Sequence, residues 1–345
     1  MPTNADWPTL LGNPQRAGYA AEAAPDSVEE VWRAEVGRGL VSPLVVEGPA
    51  VLAATANRLV VAISAEDGEH YWERRLDGAI TGGMVRWRDR VFAAAEEREG
   101  RAYALALEDG DRLWHRVVGS TPVPPLLVGD VVFFGTEGGN IFALDVRKGE
   151  EAWKRRLSGA VRATPVPWHD RLLVATASDT LFVLDRDAGA VVGRMALPAG
   201  VAAAPALSGD TVVVPLFSGD AVALVLPELT QAWRAALGAP VLAAPVVAPN
   251  GAVYLLTRAA DLWRVPPAGG TAEKIAALGG AARASLTLVR DRLLVGRLDG
   301  TLFLLRTDGS VVWRKDLEDS IVAPVTAHAG ALYVPLLRGT IVKLQ

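Results

Sequence analysis

Cysteine is absent from all 345 residues. That excludes disulfides, thiolate metal sites, cysteine nucleophiles and a lipid-acceptor cysteine. Basic excess is missing as well: 35 Lys and Arg stand against 39 Asp and Glu, a net charge of −4. No surface of the kind that grips nucleic acid or anionic lipid follows from that balance, so nucleic acid is not expected among the partners. No apolar run reaches the roughly 18 residues of a membrane-crossing helix. The opening, MPTNADWPTLLGN, carries neither a basic segment nor an apolar one. It reads as a chain without a signal peptide, and the expected compartment is the cytoplasm. The alternative, periplasm or cell envelope, holds if a leader has been removed.

Chemistry-bearing motifs are equally sparse. No GxSxG elbow and no Gly-rich loop leading into a helix can be found, and no helix is evident. The four histidines, His70, His115, His169 and His328, are scattered, so a histidine metal cluster is not expected.

What the chain has is repetition. Gly139 to Leu157, GNIFALDVRKGEEAWKRRL, holds an apolar run, a turn with Asp145 and Gly149, and a second run around Trp153. This reads as a β-hairpin closed by a glycine at positive φ. Copies end at Leu76, Val118 and Leu317, and weaker ones run through 181–197, 221–237 and 261–278. Aligned on the tryptophan, the equivalent positions are Trp32, Trp72, Trp114, Trp153, Gly193, Trp233, Lys274 and Trp313. Their spacing of about 40 residues is that of a propeller blade.

Between the hairpins lies a second pair of runs, joined by turns such as Gly129-Asp130, Gly209-Asp210 and Asn250-Gly251. Each period therefore predicts four antiparallel strands, small-residue strand innermost and tryptophan strand outermost. Small residues at the innermost strand starts (Ala163-Thr164, Ala203-Ala204, Ala243-Ala244) suit the crowded axis. Trp32 belongs to a fourth strand with no first three before it, and residues 321–345 supply three strands without a fourth. The strand at about 30–36 should complete that last sheet. The expectation is all-β: one domain over 1–345, an eight-bladed β-propeller of four-stranded antiparallel blades. Repeats run from 29 to 345, after an irregular segment, 1–28, packed on one face by Trp7. The blades that hold Gly193 and Lys274 in place of tryptophan are expected to be the loosest.

Phe142-Ala143-Leu144-Asp145, Gly149 and Trp153, with Trp7-Pro8, Gly12-Asn13, Arg16 and Gly18 near the start, resemble the repeat of the quinoprotein, or PQQ-type, β-propeller family. The resemblance covers the chain from Trp7 onward and implies the fold more firmly than a function. It offers two branches. The quinone-dependent dehydrogenases are longer chains whose PQQ and Ca²⁺ sit on the propeller axis, beneath a vicinal disulfide in many members. The compact eight-bladed, BamB-like branch serves outer-membrane protein assembly by binding proteins. Length and short loops place this chain nearer the second. The resemblance thus implies a non-enzymatic, monomeric scaffold with no cofactor, holding a protein partner through its inter-blade loops. PQQ-dependent oxidation, or a small-ligand sensor using the central funnel, is the alternative.

The acidic residues of the repeat turns (Glu66-Asp67, Glu108-Asp109, Asp111, Asp185, Asp187, Asp308) recur at equivalent positions. They must spread around the ring, and read as solvated turn formers. Counting three residues back from the repeated proline position gives Leu40, Ile80, Pro122, Arg162, Ala202, Leu242, Arg283 and Ile321. Arg162 and Arg283 are candidates for gripping a carboxylate at the funnel mouth. Their alternative reading is solvated surface arginines. Arg38 and Leu40 are candidate contacts on the exposed loop tops.

Overall fold

A computed structural model describes residues 19–20, 24–96, 99–267, 269–284 and 286–345. Eight sheets form, each built on four antiparallel strands. Numbered in chain order, blades I to VII span residues 45–75, 84–117, 126–156, 166–196, 206–236, 246–277 and 287–316, and blade I is Val45–Glu47, Ala50–Ala54, Leu59–Ser64 and His70–Arg75. Blade VII is Thr287–Val289, Arg292–Gly296, Thr301–Arg306 and Val311–Asp316. The middle strands are buried nearly end to end, as in Leu59–Ser64 and Arg171–Thr176, because each blade is sandwiched between two others. The outermost strands alternate buried and exposed residues, as Glu30–Glu35 does, since one edge meets water.

Blade VIII joins the two ends of the chain. Thr326–His328, Ala331–Leu336 and Thr340–Leu344 are completed by Glu30–Glu35, with Glu30 opposite Leu344 and Glu35 opposite Thr340. Glu29 and Gln345 exchange both backbone hydrogen bonds at 2.9 and 3.0 Å. The ring therefore closes as the strand count at the ends required. One strand goes beyond that count: Tyr19–Ala20 pairs in parallel with Thr287–Val289, the innermost strand of blade VII. The expected packing of Trp7 lies outside the described residues.

Neighbouring blades lock through a residue pair. The tryptophan of one blade lies against the glycine of the next blade's outer turn: Trp32 on Gly68, Trp72 on Gly110, Trp114 on Gly149 and Trp153 on Gly189. A β-carbon at Gly189 would sit 2.5 Å from the Trp153 ring. The same indoles donate to a carbonyl of that turn, as Trp72 does to Leu107 at 2.9 Å and Trp153 to Arg186 at 2.9 Å. Trp233 meets Gly269 through its Cδ1 edge. The split blade VIII has no such turn, and the Pro25 carbonyl accepts the Trp313 indole instead, at 3.1 Å.

The two positions without tryptophan are filled by other means. Opposite Gly193, blade V has Leu229 where the other turns have glycine, at φ 57°, and its side chain reaches to 4.0 Å of where a Gly193 β-carbon would be. Large and small residues have changed sides of the interface. At blade VI the place is taken not by Lys274 but by Ile275, whose carbonyl and β-carbon lie on Gly309 and whose side chain packs on the apolar cluster of blades VI and VII. Lys274 turns to Asp261 at 2.8 Å and lies over the Trp263 ring at 5.3 Å. Leu229 and Ile275 thus stand at the two interfaces from which the tryptophan is missing.

Candidate functional site

The loops between blades and the turn between each blade's second and third strands share one face. Threonine often ends the second strand; the Thr55 and Thr136 hydroxyls accept the Leu59 and Asn140 amides at 3.0 and 2.9 Å, pinning the turn. The residue after it donates its N–H to the loop entering the same blade: Ala56 to Gly39, Glu96 to Ala79, Glu137 to Ser120 and Ala177 to Ala160. Phe217 to Gly200, Arg258 to Pro240, Leu298 to Ala281 and Leu337 to Ser320 complete the circuit. This repeated bond, 2.6–3.0 Å long, holds the loops as a rigid crown.

A second circle of side chains comes from the loops leaving each blade: Thr81, Pro122, Arg162, Ala202, Leu242, Arg283, Val322 and Val41, none of them buried. Immediately before them stand Ile80, Val161, Ile321 and Leu40, each fully buried. Leu40 therefore belongs to the core and cannot serve as the loop-top contact assigned to it. Counting back from proline fails because the proline falls at different steps of the loop, which mixes the two layers. In the correct register Val41, not Leu40, is the partner of Arg162.

Blade III and the loop after it bring Glu137 and Arg162 together. The carboxylate receives the Arg162 guanidinium at 2.9–3.1 Å through both oxygens. That pairing pushes the arginine pKa above its ordinary value, and Arg162 is already occupied. The Arg283 side chain is exposed and makes no ion pair or hydrogen bond among the described residues, and the same holds for the Arg258 side chain. Arg258 was missed by proline-anchored counting, although Thr257-Arg258 repeats the Thr136-Glu137 pattern. The Arg38 side chain is exposed, while its backbone N–H donates to the Asn57 side chain at 3.0 Å.

At the axis the innermost strands meet in small residues. Gly83 packs between Ser42, Pro43 and Pro124, and Ala204 meets Ala244. The residues at this level, Pro43, Gly83, Pro124, Thr164, Ala204, Ala244 and Pro324, offer methyl, methylene and hydroxyl groups. A quinone-bound Ca²⁺ asks for carboxylate oxygens, and this ring does not fit it. The Thr164 hydroxyl is buried there without a partner. Among the described residues no three His, Asp or Glu side chains gather as a metal site. Turn acids serve the backbone: the Asp185 carboxylate accepts the Ala188 and Asp187 amides at 2.8 and 3.1 Å, which lowers its pKa.

The profile of the family described as outer membrane protein assembly factor BamB matches residues 16–167 and 153–224. The chain belongs to the BamB family. A curated BamB from Burkholderia pseudomallei is 32% identical over 133 residues, 37% of this chain and 34% of that protein. BamB from Yersinia pestis is 30% identical over 163 residues, 43% of this chain and 41% of that one. The matches thus span only about a third to two fifths of those relatives. The crystal structure of BamB from Moraxella catarrhalis superposes with a TM-score of 0.78 at 19% identity, covering 92% of this chain and 98% of that one. Quinohemoprotein alcohol dehydrogenase from Comamonas testosteroni gives 0.79 at 14% identity, over 99% of this chain and 80% of that one. Both likenesses show the fold alone.

BamB membership overturns the cytoplasmic placement. The curated relatives are outer membrane protein assembly factors, and the opening residues, read by themselves, pointed to the wrong compartment.

Proposed function

We propose that this chain is a non-catalytic scaffold of the cell envelope that takes part in outer membrane protein assembly, without a cofactor of its own. The observation that carries the reading is the crown of loops on a BamB-family propeller. Eight equivalent backbone bonds fix the loops before any partner arrives, so little ordering entropy is lost on docking. The side chains that point outward, among them Phe217 at 56% and Leu298 and Val41 at 37% exposure, supply apolar contact between polar neighbours. Such a surface suits an extended segment or sheet edge of a protein partner.

Two measurements test it. Affinity isolation of the tagged chain from its own cells is expected to bring down an outer membrane assembly protein, and envelope fractions without one count against the scaffold. Adding PQQ with Ca²⁺ to the pure chain is expected to give neither saturable absorbance change nor dye-linked alcohol or glucose oxidation. Saturable binding with turnover would replace the scaffold by an oxidoreductase.

A further inference from the structure

The crown can be read as eight couples, each made of a turn residue and the residue of the loop leaving that blade. From blade I to blade VIII they are Ala56 with Thr81, Glu96 with Pro122, Glu137 with Arg162 and Ala177 with Ala202; then Phe217 with Leu242, Arg258 with Arg283, Leu298 with Val322 and Leu337 with Val41. Glu137 and Arg258 are equivalent, since each donates its N–H to the loop entering its blade, to Ser120 and Pro240. Arg162 and Arg283 are equivalent too. Each follows a buried residue, Val161 or Ala282, and stands two residues after the carbonyl that receives the next blade's turn, Ala160 from Ala177 or Ala281 from Leu298.

Where blade III holds a carboxylate against a guanidinium, blade VI places a second guanidinium. Two like charges thus hold equivalent positions, and no acid among the described residues bonds to either side chain. The flanking couples, Phe217 with Leu242 and Leu298 with Val322, carry no charge, and Phe217 and Leu298 are exposed apolar side chains.

We propose that Arg258 and Arg283 receive an acidic side chain of a partner protein, in an extended segment whose apolar residues lie over Phe217–Leu242 and Leu298–Val322. The incoming carboxylate takes the place that Glu137 fills from within at blade III. This inference rests on the scaffold reading and names the chemistry of its partner. A guanidinium pair favours a carboxylate through charge-assisted, fork-like hydrogen bonds, and the uncharged flanks exclude water around it.

The test uses the full chain and a labelled peptide, Gly-Leu-Phe-Asp-Leu-Phe-Gly, blocked at both ends, with fluorescence anisotropy as readout. The Asp peptide is expected to bind roughly tenfold tighter than its Asn counterpart, a difference of about 1.4 kcal/mol, and the preference should shrink with added salt. Arg258→Glu rebuilds the blade III couple inside blade VI. It should abolish the preference while leaving Tm unchanged or higher. Arg283→Gln should weaken Asp-peptide binding, and Arg162→Gln, at a couple already satisfied, should leave it as it was. Equal binding of the Asp and Asn peptides would overturn the proposal, as would an unaltered preference in Arg258→Glu. So would succinate competing as well as the peptide, because the ligand would then be a small acid. Peptide binding by the pure chain does not depend on the envelope, so failure of the assembly role would appear only in the affinity isolation.

Discussion

At most blade interfaces an indole meets a glycine of the next blade, beside the apolar core that the two blades share. The Trp153–Gly189 contact leaves no room for a methyl group, and Gly189 sits at φ 63°, a conformation other residues resist. Gly189→Ala is expected to cost about 1–3 kcal/mol, and Trp153→Ala about 3–5 kcal/mol, both read by urea unfolding. The Gly193–Leu229 interface offers a sharper test. Gly193→Trp alone collides with Leu229, and Leu229→Gly alone empties the wedge. The double change should recover most of the loss, as contacting residues couple strongly; additive losses would show that the two do not share one space. The sequence pattern displays the missing tryptophan at 193 but hides its remedy, because Leu229 lies in the next repeat and only packing joins them. At the turn before each wedge, acid strength matters. Backbone amides at Ala188 and Asp187, followed by Arg171, lower the Asp185 pKa. Its contribution is therefore complete above the ordinary carboxylate pKa of about 3.9 and lost as pH falls through the lower, folded value. Tm measured against pH should drop along that acid limb, and Asp185→Asn should flatten the drop while lowering Tm at neutral pH.

At the scale of elements, the outer pair of strands in every blade carries a bulge. In seven blades the skipped residue precedes the tryptophan position, as Tyr71, Leu113 and Val192 do. In blade VI it is Ile275, because Leu262 faces Ala276 and Trp263 faces Lys274. Counting along a 40-residue period cannot see a bulge that slides, so Lys274 takes the tryptophan's number while Ile275 takes its place. Ile275→Ala should accordingly destabilise by about 1–2 kcal/mol for a half-buried wedge. Lys274→Ala gives up a part-exposed pair with Asp261 and the contact over the Trp263 ring, and should stay within about 1 kcal/mol. Comparable losses for the two would return the wedge to Lys274. The same blindness affects the loop face. Strand order was legible because apolar runs and Gly-Asp turns alternate so regularly, whereas the side chains of the crown depend on a loop register that proline does not mark. Hence Arg162 and Arg283 were within reach of the sequence, and Arg258 and the burial of Leu40 were not.

For the whole molecule the decisive joint is blade VIII, where residues from the two ends of the chain meet. It was legible from the strand count alone: one strand too many at the start and one too few at the end. The structure adds reinforcements that no pattern announces. Lys343 is buried opposite Trp32 and donates to the Ala65 carbonyl at 2.8 Å, and that oxygen also receives Tyr333 at 3.3 Å and Trp32 at 3.4 Å. Residues 24–26 brace the other side, through Pro25 to Trp313 and Asp26 to Arg292. A chain beginning at Gly37 would keep seven complete blades but bare the Thr340–Leu344 edge, whose Ile341, Val342 and Leu344 are wholly buried in the intact ring. Such an apolar edge pairs with whatever strand is offered, so the shortened chain is expected to self-associate on size-exclusion chromatography. A synthetic peptide of residues 24–36 should restore the monomer and raise Tm in proportion to the logarithm of its concentration, as a ligand that binds only the folded ring must. The same peptide with Trp32→Ala should do so far more weakly, since the wedge on Gly68 and the bond to Ala65 are lost together. A shortened chain that stays monomeric and gains nothing from the peptide would mean that seven blades close without the eighth, and that the meeting of the two ends is not what holds the ring.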